Sequence, residues 1–187
     1  MATKNKTIEN SVTGERITWL ETSADTNGKY LRFIMTLAPG GQLPVTHIHP
    51  SQTERFETRK GIIAMEIEGR KTLLAEGQSK VIDRHIPHKF SNPSKDKEVE
   101  VEITFTPAGK TEVFLEQFFG LSNEGKTNAE GTPAFLQLMA MANTFEIYIA
   151  GPPIIIQKIM SVVIGGIGRL LGYKRFYKKY SPDTTKI

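Results

Sequence analysis

The feature that most restricts the fold of this chain is a change of hydrophobic period near Pro107. Before it, short runs rich in β-branched and aromatic residues follow one another: Arg16 to Glu21, Tyr30 to Leu37, Gly61 to Ile67, Lys71 to Leu74, Ser79 to Asp83 and Val99 to Phe105. Each is bounded by Gly, Pro, Asn or Asp, the residues that reverse a chain. The last run is the clearest, because Val99, Val101, Ile103 and Phe105 alternate with Glu98, Glu100, Glu102 and Thr104. A period of two sends the two sets to opposite faces, so the strand reads as half-buried with solvated glutamates. The Glu66/Glu68 pair has the same spacing, and neither series is read as a catalytic carboxylate pair. Turns are expected at Thr26-Asn27-Gly28, Pro39-Gly40-Gly41, Glu68-Gly69 and Asn92-Pro93, where the chain needs a positive or a fixed φ. Short strands at this spacing imply a mainly β fold, an antiparallel sandwich or jelly roll.

After Pro107 the period becomes helical. Glu112 to Phe119 places Leu115, Phe118 and Phe119 at helical spacing, and Thr132-Pro133 reads as an N-cap and first-turn pair ahead of a stripe through Phe135, Leu138, Met139 and Ala142. Gly151-Pro152-Pro153 opens a third segment, in which Ile156, Ile159, Met160, Val163, Ile167 and Leu170 share one face and Gln157, Ser161, Gly165 and Arg169 the other. Gly165, Gly166 and Gly168 weaken this helix by about 1 kcal/mol each relative to alanine. The expected organisation is a β-barrel domain over 1–109, then a C-terminal helical extension over 110–187 that packs on the barrel or at a subunit interface. The apolar face of the third helix is expected to be buried there. A membrane span needs roughly 20 apolar residues, and Gln157, Lys158 and Arg169 interrupt this stretch, so no membrane span is expected. Lys174, Arg175, Lys178 and Lys179, interleaved with Phe176, Tyr177 and Tyr180, read as a solvated helix end, with peripheral membrane attachment as the competing reading.

Composition excludes several classes. The chain has 187 residues, 39% of them hydrophobic, enough for a substantial core. The absence of cysteine removes disulfides and thiolate ligands. A net charge of +4 without a recognisable basic binding motif argues against a nucleic-acid partner. The polar first residues contain no apolar secretion signal, so a cytoplasmic location is expected.

Chemistry concentrates in two runs. His47 and His49, two residues apart, share a face if they lie on a strand. Glu54 follows after a Pro/Ser/Gln/Thr turn, and His88 arrives from a later segment, so that three imidazoles and one carboxylate can converge on one ion. His85 is a loop residue, with a hydrogen-bonding or proton-shuttling role at the pocket mouth as the alternative. Gly41, His47, His49, Glu54 and Gly61 fill every fixed position of the first cupin motif, and Gly77, His88 and Asn92 fall in register with the second. Asp83 stands where proline is usual and His85 where glycine is, so the turn before His88 is the place where a departure is expected.

The chain therefore resembles a small single-domain cupin of type 2, similar to quercetin-type and other small dioxygenases, from roughly Gly14 to Pro107. The resemblance implies a cupin double-stranded β-helix (jelly roll) barrel and one divalent transition metal ion (Fe, Mn, Ni, Cu, Co or Zn) held by His47, His49, Glu54 and His88. It also implies a small-molecule substrate and a homodimer. The glutamate matching Glu54 binds metal or takes a substrate proton in such enzymes, which makes Glu54 the catalytic candidate. The function expected is that of a metal-dependent, dioxygenase-like oxidoreductase, the alternative being a non-catalytic or sensory cupin that binds metal or a small ligand.

Overall fold

The computed structural model describes residues 2–42 and 45–181. Its order is β1 (Thr7–Glu9), β2 (Arg16–Glu21), β3 (Leu31–Leu37), β4 (His47–Ile48), β5 (Thr53–Lys60), β6 (Ile62–Ile67), β7 (Arg70–Ala75), β8 (Ser79–Ile82), β9 (His88–Ser91), β10 (Val99–Thr106), α1 (Thr111–Asn123), α2 (Phe135–Phe145), β11 (Tyr148–Ile149) and α3 (Ile154–Leu170). The strands form two antiparallel sheets, ordered β1-β2-β3-β10-β5-β8 and β11-β4-β9-β6-β7, which is the jelly-roll sandwich with C-terminal helices that the sequence implies.

Alternation decides which face is buried. Along β3, Leu31, Phe33, Met35 and Leu37 point into the core, and β10 adds Val99, Val101, Ile103 and Phe105. Phe56 of β5 extends this inner face, which packs against Ile63, Met65 and Phe90 of the other sheet, with Trp19 packed edge-on against Phe33 at a centroid distance of 5.5 Å. Glu68 and Gly69 both take positive φ and make the two-residue loop that joins β6 to β7, pairing Ile67 with Arg70.

The outer face of β10 departs from expectation. Glu102 is buried, because Arg59 donates to its carboxylate from Nε at 3.1 Å and Nη2 at 2.7 Å, with Arg32 at 3.7 Å. Hydrogen-bonded guanidinium groups supply what water would otherwise give a carboxylate there.

The helical region closes one end of the sandwich. Phe119 and Leu115 of α1 join the barrel core, and Gln52 Nε2 donates to the carbonyls of Pro107 and Ala108 and to Thr111 Oγ1, tying the start of α1 to the strand region. The start of α2 differs from the sequence reading: its N-cap is Ala134, without a side-chain cap. Thr132 and Pro133 lie ahead of it in a loop where Thr132 N–H donates to Asn128 Oδ1 and Pro133 bridges Thr127. The region also contributes β11, which pairs with β4. The largest difference concerns α3, whose buried residues are Ser161, Gly165 and Gly168, while Ile156, Ile159, Val163, Ile167 and Leu170 face solvent. Close backbone approach to α2 selects the small face, which leaves the aliphatic face outside. No helix among the described residues is long and apolar enough to cross a membrane.

Candidate metal centre

Three strands, β4, β5 and β9, bring the sequence-predicted residues together. His47 starts β4 and pairs with His88 of β9 directly across the ladder. Ile149 of β11 pairs with His47 from the other side. His49 follows two residues later on the same face, and Glu54 enters from β5, opposite Phe105 of β10 and Ile82 of β8. The ring centroids lie 4.8 Å apart for His47 and His49, 4.5 Å for His47 and His88, and 5.6 Å for His49 and His88. One ligand atom from each of the four residues can be chosen so that all lie within 4.8 Å of one another.

Electrostatics follow from the contacts. His88 is 1% exposed, and its Nδ1–H donates to the carbonyl of Ile86 at 2.9 Å, since a carbonyl can only accept. Its Nε2 lies 2.8 Å from Glu54 Oε2. Burial opposes charge on His88, but the hydrogen bond to Glu54 and its negative charge outweigh burial and raise the imidazole above its ordinary value. Burial likewise opposes charge on Glu54, yet the imidazoles of His49 and His88 close beside it bring its carboxyl down to about 2. Burial, reinforced by the neighbouring His49 and His88, pushes His47 down to about 3.

The donor set fits a metal ion. His49 is 4% exposed, and neither of its ring nitrogens has a hydrogen-bond partner. Its Nε2 is 3.4 Å from Glu54 Oε2, too long for a good bond. A buried polar atom left unpaired costs about 1–3 kcal/mol, and a cation between His49, His88 and Glu54 would remove that cost. First-row ions bond nitrogen at about 2.0–2.1 Å, so ligand atoms around one stand at most about 4.2 Å apart; the observed spread closes onto an ion by small side-chain shifts. The Ile86 carbonyl already fixes the His88 tautomer that leaves Nε2 as the ligand atom. Three imidazoles and a carboxylate, without sulfur, match Fe, Mn, Ni, Cu, Co or Zn.

His85, where the motif usually has glycine, takes φ +66. It is exposed, stays outside the cluster, and its N–H donates to the carbonyl of His49 at 3.0 Å. The turn before His88 is therefore kept by backbone conformation despite the substitution. Asn92 is 2% exposed and hydrogen-bonds the carbonyls of Leu37, Ala38 and Lys97.

His47, His49 and Glu54 open onto a cavity of about 230 Å³ between the barrel and the helices. Phe33, Phe90 and Phe105 line it from the barrel, and Phe114, Phe118 and Met139 from α1 and α2. Sequence reasoning missed these helix residues as cavity lining; their helical stripe could equally have been plain core.

Residues 33–106 match the family model described as "Cupin domain". Among curated proteins, the chain is 29% identical over 152 residues to "Epoxidase atD" of Aspergillus terreus, covering 75% of this chain and 47% of that protein. It is 26% identical over 176 residues to "Oxidoreductase OpS7" of Beauveria bassiana, covering 75% of this chain and 57% of that protein. The chain thus spans about half the length of these relatives. Among solved structures, an RmlC-like cupin from Shewanella frigidimarina aligns with a TM-score of 0.48 at 20% identity, covering 57% of this chain and 87% of that one. Residues 33–106, which carry both motifs on the jelly roll, are thus similar to the cupin domain family.

Proposed function

We propose that the protein is a metal-dependent oxidoreductase, dioxygenase-like in its chemistry, that acts on a small, largely apolar organic molecule. His47, His49, Glu54 and His88 would hold one divalent transition metal ion, which when bound supplies Lewis acidity and a route for electrons. The observation that carries this reading is the buried, unpartnered His49 ring set beside His88 and Glu54 at the wall of an apolar cavity. The cavity lies below the roughly 300–1,000 Å³ of drug-sized sites, so the substrate would be small. Phe105, edge-on to His49 at 5.2 Å, would press a flat enolic or aromatic molecule toward the imidazoles and keep water from that side.

Glu54 is the candidate proton acceptor. Its low pKa means that it is ionised at neutral pH, and its Oε2 lies 2.8 Å from His88 Nε2. A substrate hydroxyl entering beside it could pass its proton to that oxygen. The names of the relatives, an epoxidase and an oxidoreductase, agree with oxidative chemistry.

The test is oxygen uptake by Fe(II)- or Mn(II)-loaded protein against a panel of enolic and catecholic compounds. Turnover that falls at least tenfold in Glu54→Gln while metal is retained supports the reading. Tight binding of panel members without oxygen uptake under any metal would instead support a non-catalytic, ligand-sensing cupin.

A further inference from the structure

α3 packs on α2 through its small residues. Ser161 Oγ donates to the Met139 carbonyl at 2.8 Å. A Cβ added at Gly165 would sit 2.4 Å from that same oxygen, and one at Gly168 would sit 3.0 Å from the Leu136 carbonyl. Only small side chains permit this approach. At about 100° per residue, the opposite side of α3 carries Ile155, Ile159, Val162, Val163, Ile167 and Leu170, each between 51% and 88% exposed. Six large aliphatic side chains on one exposed helix face form a patch that an isolated soluble surface rarely carries.

Charge identifies what covers it. From Ile154 to Tyr180 the sequence holds Lys158, Arg169, Lys174, Arg175, Lys178 and Lys179 and no acidic residue, although the whole chain is only +4. Lys179 is paired with Glu124 at 2.5 Å. Lys158, Lys174, Arg175 and Lys178 are exposed and make no ion pair among the described residues. On the helical projection Lys158 and Arg169 fall together along one flank of the aliphatic arc, and the remaining cations follow the C-terminal end of α3. We propose that α3 and the basic segment after it dock onto an anionic lipid bilayer, with the helix lying flat in the headgroup region.

An aliphatic arc rimmed by cations suits that interface, where the side chains enter the acyl boundary and the cations meet lipid phosphates. A second copy of this chain suits it less, since a symmetric contact would set the same uncompensated positive charge against itself. The small residues that could have allowed close contact between copies are already occupied by α2. Gln157 of α3 donates to and accepts from the backbone of Ile149, and both residues line the cavity. The helix that carries the docking surface therefore contributes to the cavity wall from its opposite side.

The test is cosedimentation of the full chain with vesicles of phosphatidylglycerol and phosphatidylcholine, with light scattering for oligomeric state. The protein is expected to bind the mixed vesicles and to bind pure phosphatidylcholine at least roughly tenfold more weakly, with affinity falling as salt rises. The double variant Ile159→Asp with Val163→Asp changes exposed positions, so it should keep its melting temperature and lose binding at least roughly tenfold. Lys174→Glu with Lys178→Glu should lose binding similarly, and it keeps the test valid if the aspartate variant misfolds. The proposal is overturned by absence of vesicle binding, by equal binding to neutral lipid, by undiminished binding in both variants, or by a solution dimer that the aspartate variant dissociates.

Discussion

Asn92→Asp should be among the most damaging isosteric changes this chain can suffer. The Asn92 amide nitrogen lies 3.2 Å from the carbonyl of Leu37, 2.9 Å from that of Ala38 and 2.7 Å from that of Lys97, while its Oδ1 accepts from Ser94 N–H at 2.9 Å. The side chain is 2% exposed, so water does not replace a lost partner. Aspartate keeps the shape and the Ser94 contact but turns a donor toward three carbonyls into an acceptor. An unsatisfied buried acceptor costs about 1–3 kcal/mol, which puts the total on the order of 4–6 kcal/mol against a typical domain stability of about 5–15 kcal/mol. Protonation restores one donor, so the loss should shrink as pH falls through the raised pKa of the buried acid. The assay is urea unfolding followed by the fluorescence of Trp19, the only tryptophan and fully buried. A loss below about 1 kcal/mol at neutral pH, or one indifferent to pH, would refute the staple role given to Asn92.

Further outcomes are expected from the same structure. His85→Gly should stabilise by about 1 kcal/mol in denaturant titration, since φ +66 strains any side chain there; metal content should be unchanged, and a destabilised variant would show that the imidazole has contacts of its own. The metal-free protein should lose stability on acidification, by opposing contributions with definite signs. His47, held near 3 against an ordinary 6.5, stays neutral while the unfolded chain takes up a proton, so its effect grows as pH falls below 6.5. At roughly 1 kcal/mol per pH unit, discounted for its partial exposure, His47→Asn should flatten the slope between pH 6.5 and 4.5. The His88 contribution, from a raised pKa, is complete below 6.5 and is lost only as pH rises, so it does not mask that slope. Below 4.5 the carboxylate of Glu54, held near 2, adds its own loss. A chelated protein whose urea midpoint is the same at pH 7 and pH 4.5 would contradict these assignments.

How much was legible in the sequence depended on whether a segment's residues served the fold or the site. β2, β3, β6 and β10 were readable because their buried positions are aliphatic or aromatic and alternate with polar ones. β5 was not: its buried residues are Glu54, Phe56 and Thr58, so the inward face holds a ligand candidate and a hydroxyl where a period-two search expects hydrocarbon. β4 and β9, the other carriers of the cluster, are two and four residues long and hidden by their histidines. The residues of the cluster were nonetheless recoverable, because motif spacing records them independently of strand pattern. For α3 the periodicity was correct, and within the chain it is the small-residue face that turns inward. Amphipathicity identifies two faces, but the close approach that Gly165 and Gly168 permit decided which face turned inward.

The central claim, that His47, His49, Glu54 and His88 hold one transition metal ion, is tested most directly by elemental analysis of untagged protein purified without chelator. Near-stoichiometric first-row metal is expected, with His49→Ala and His88→Ala each losing most of it while remaining folded. Full metal occupancy in both variants, or a wild-type protein that neither copurifies with nor takes up any first-row ion, would contradict it.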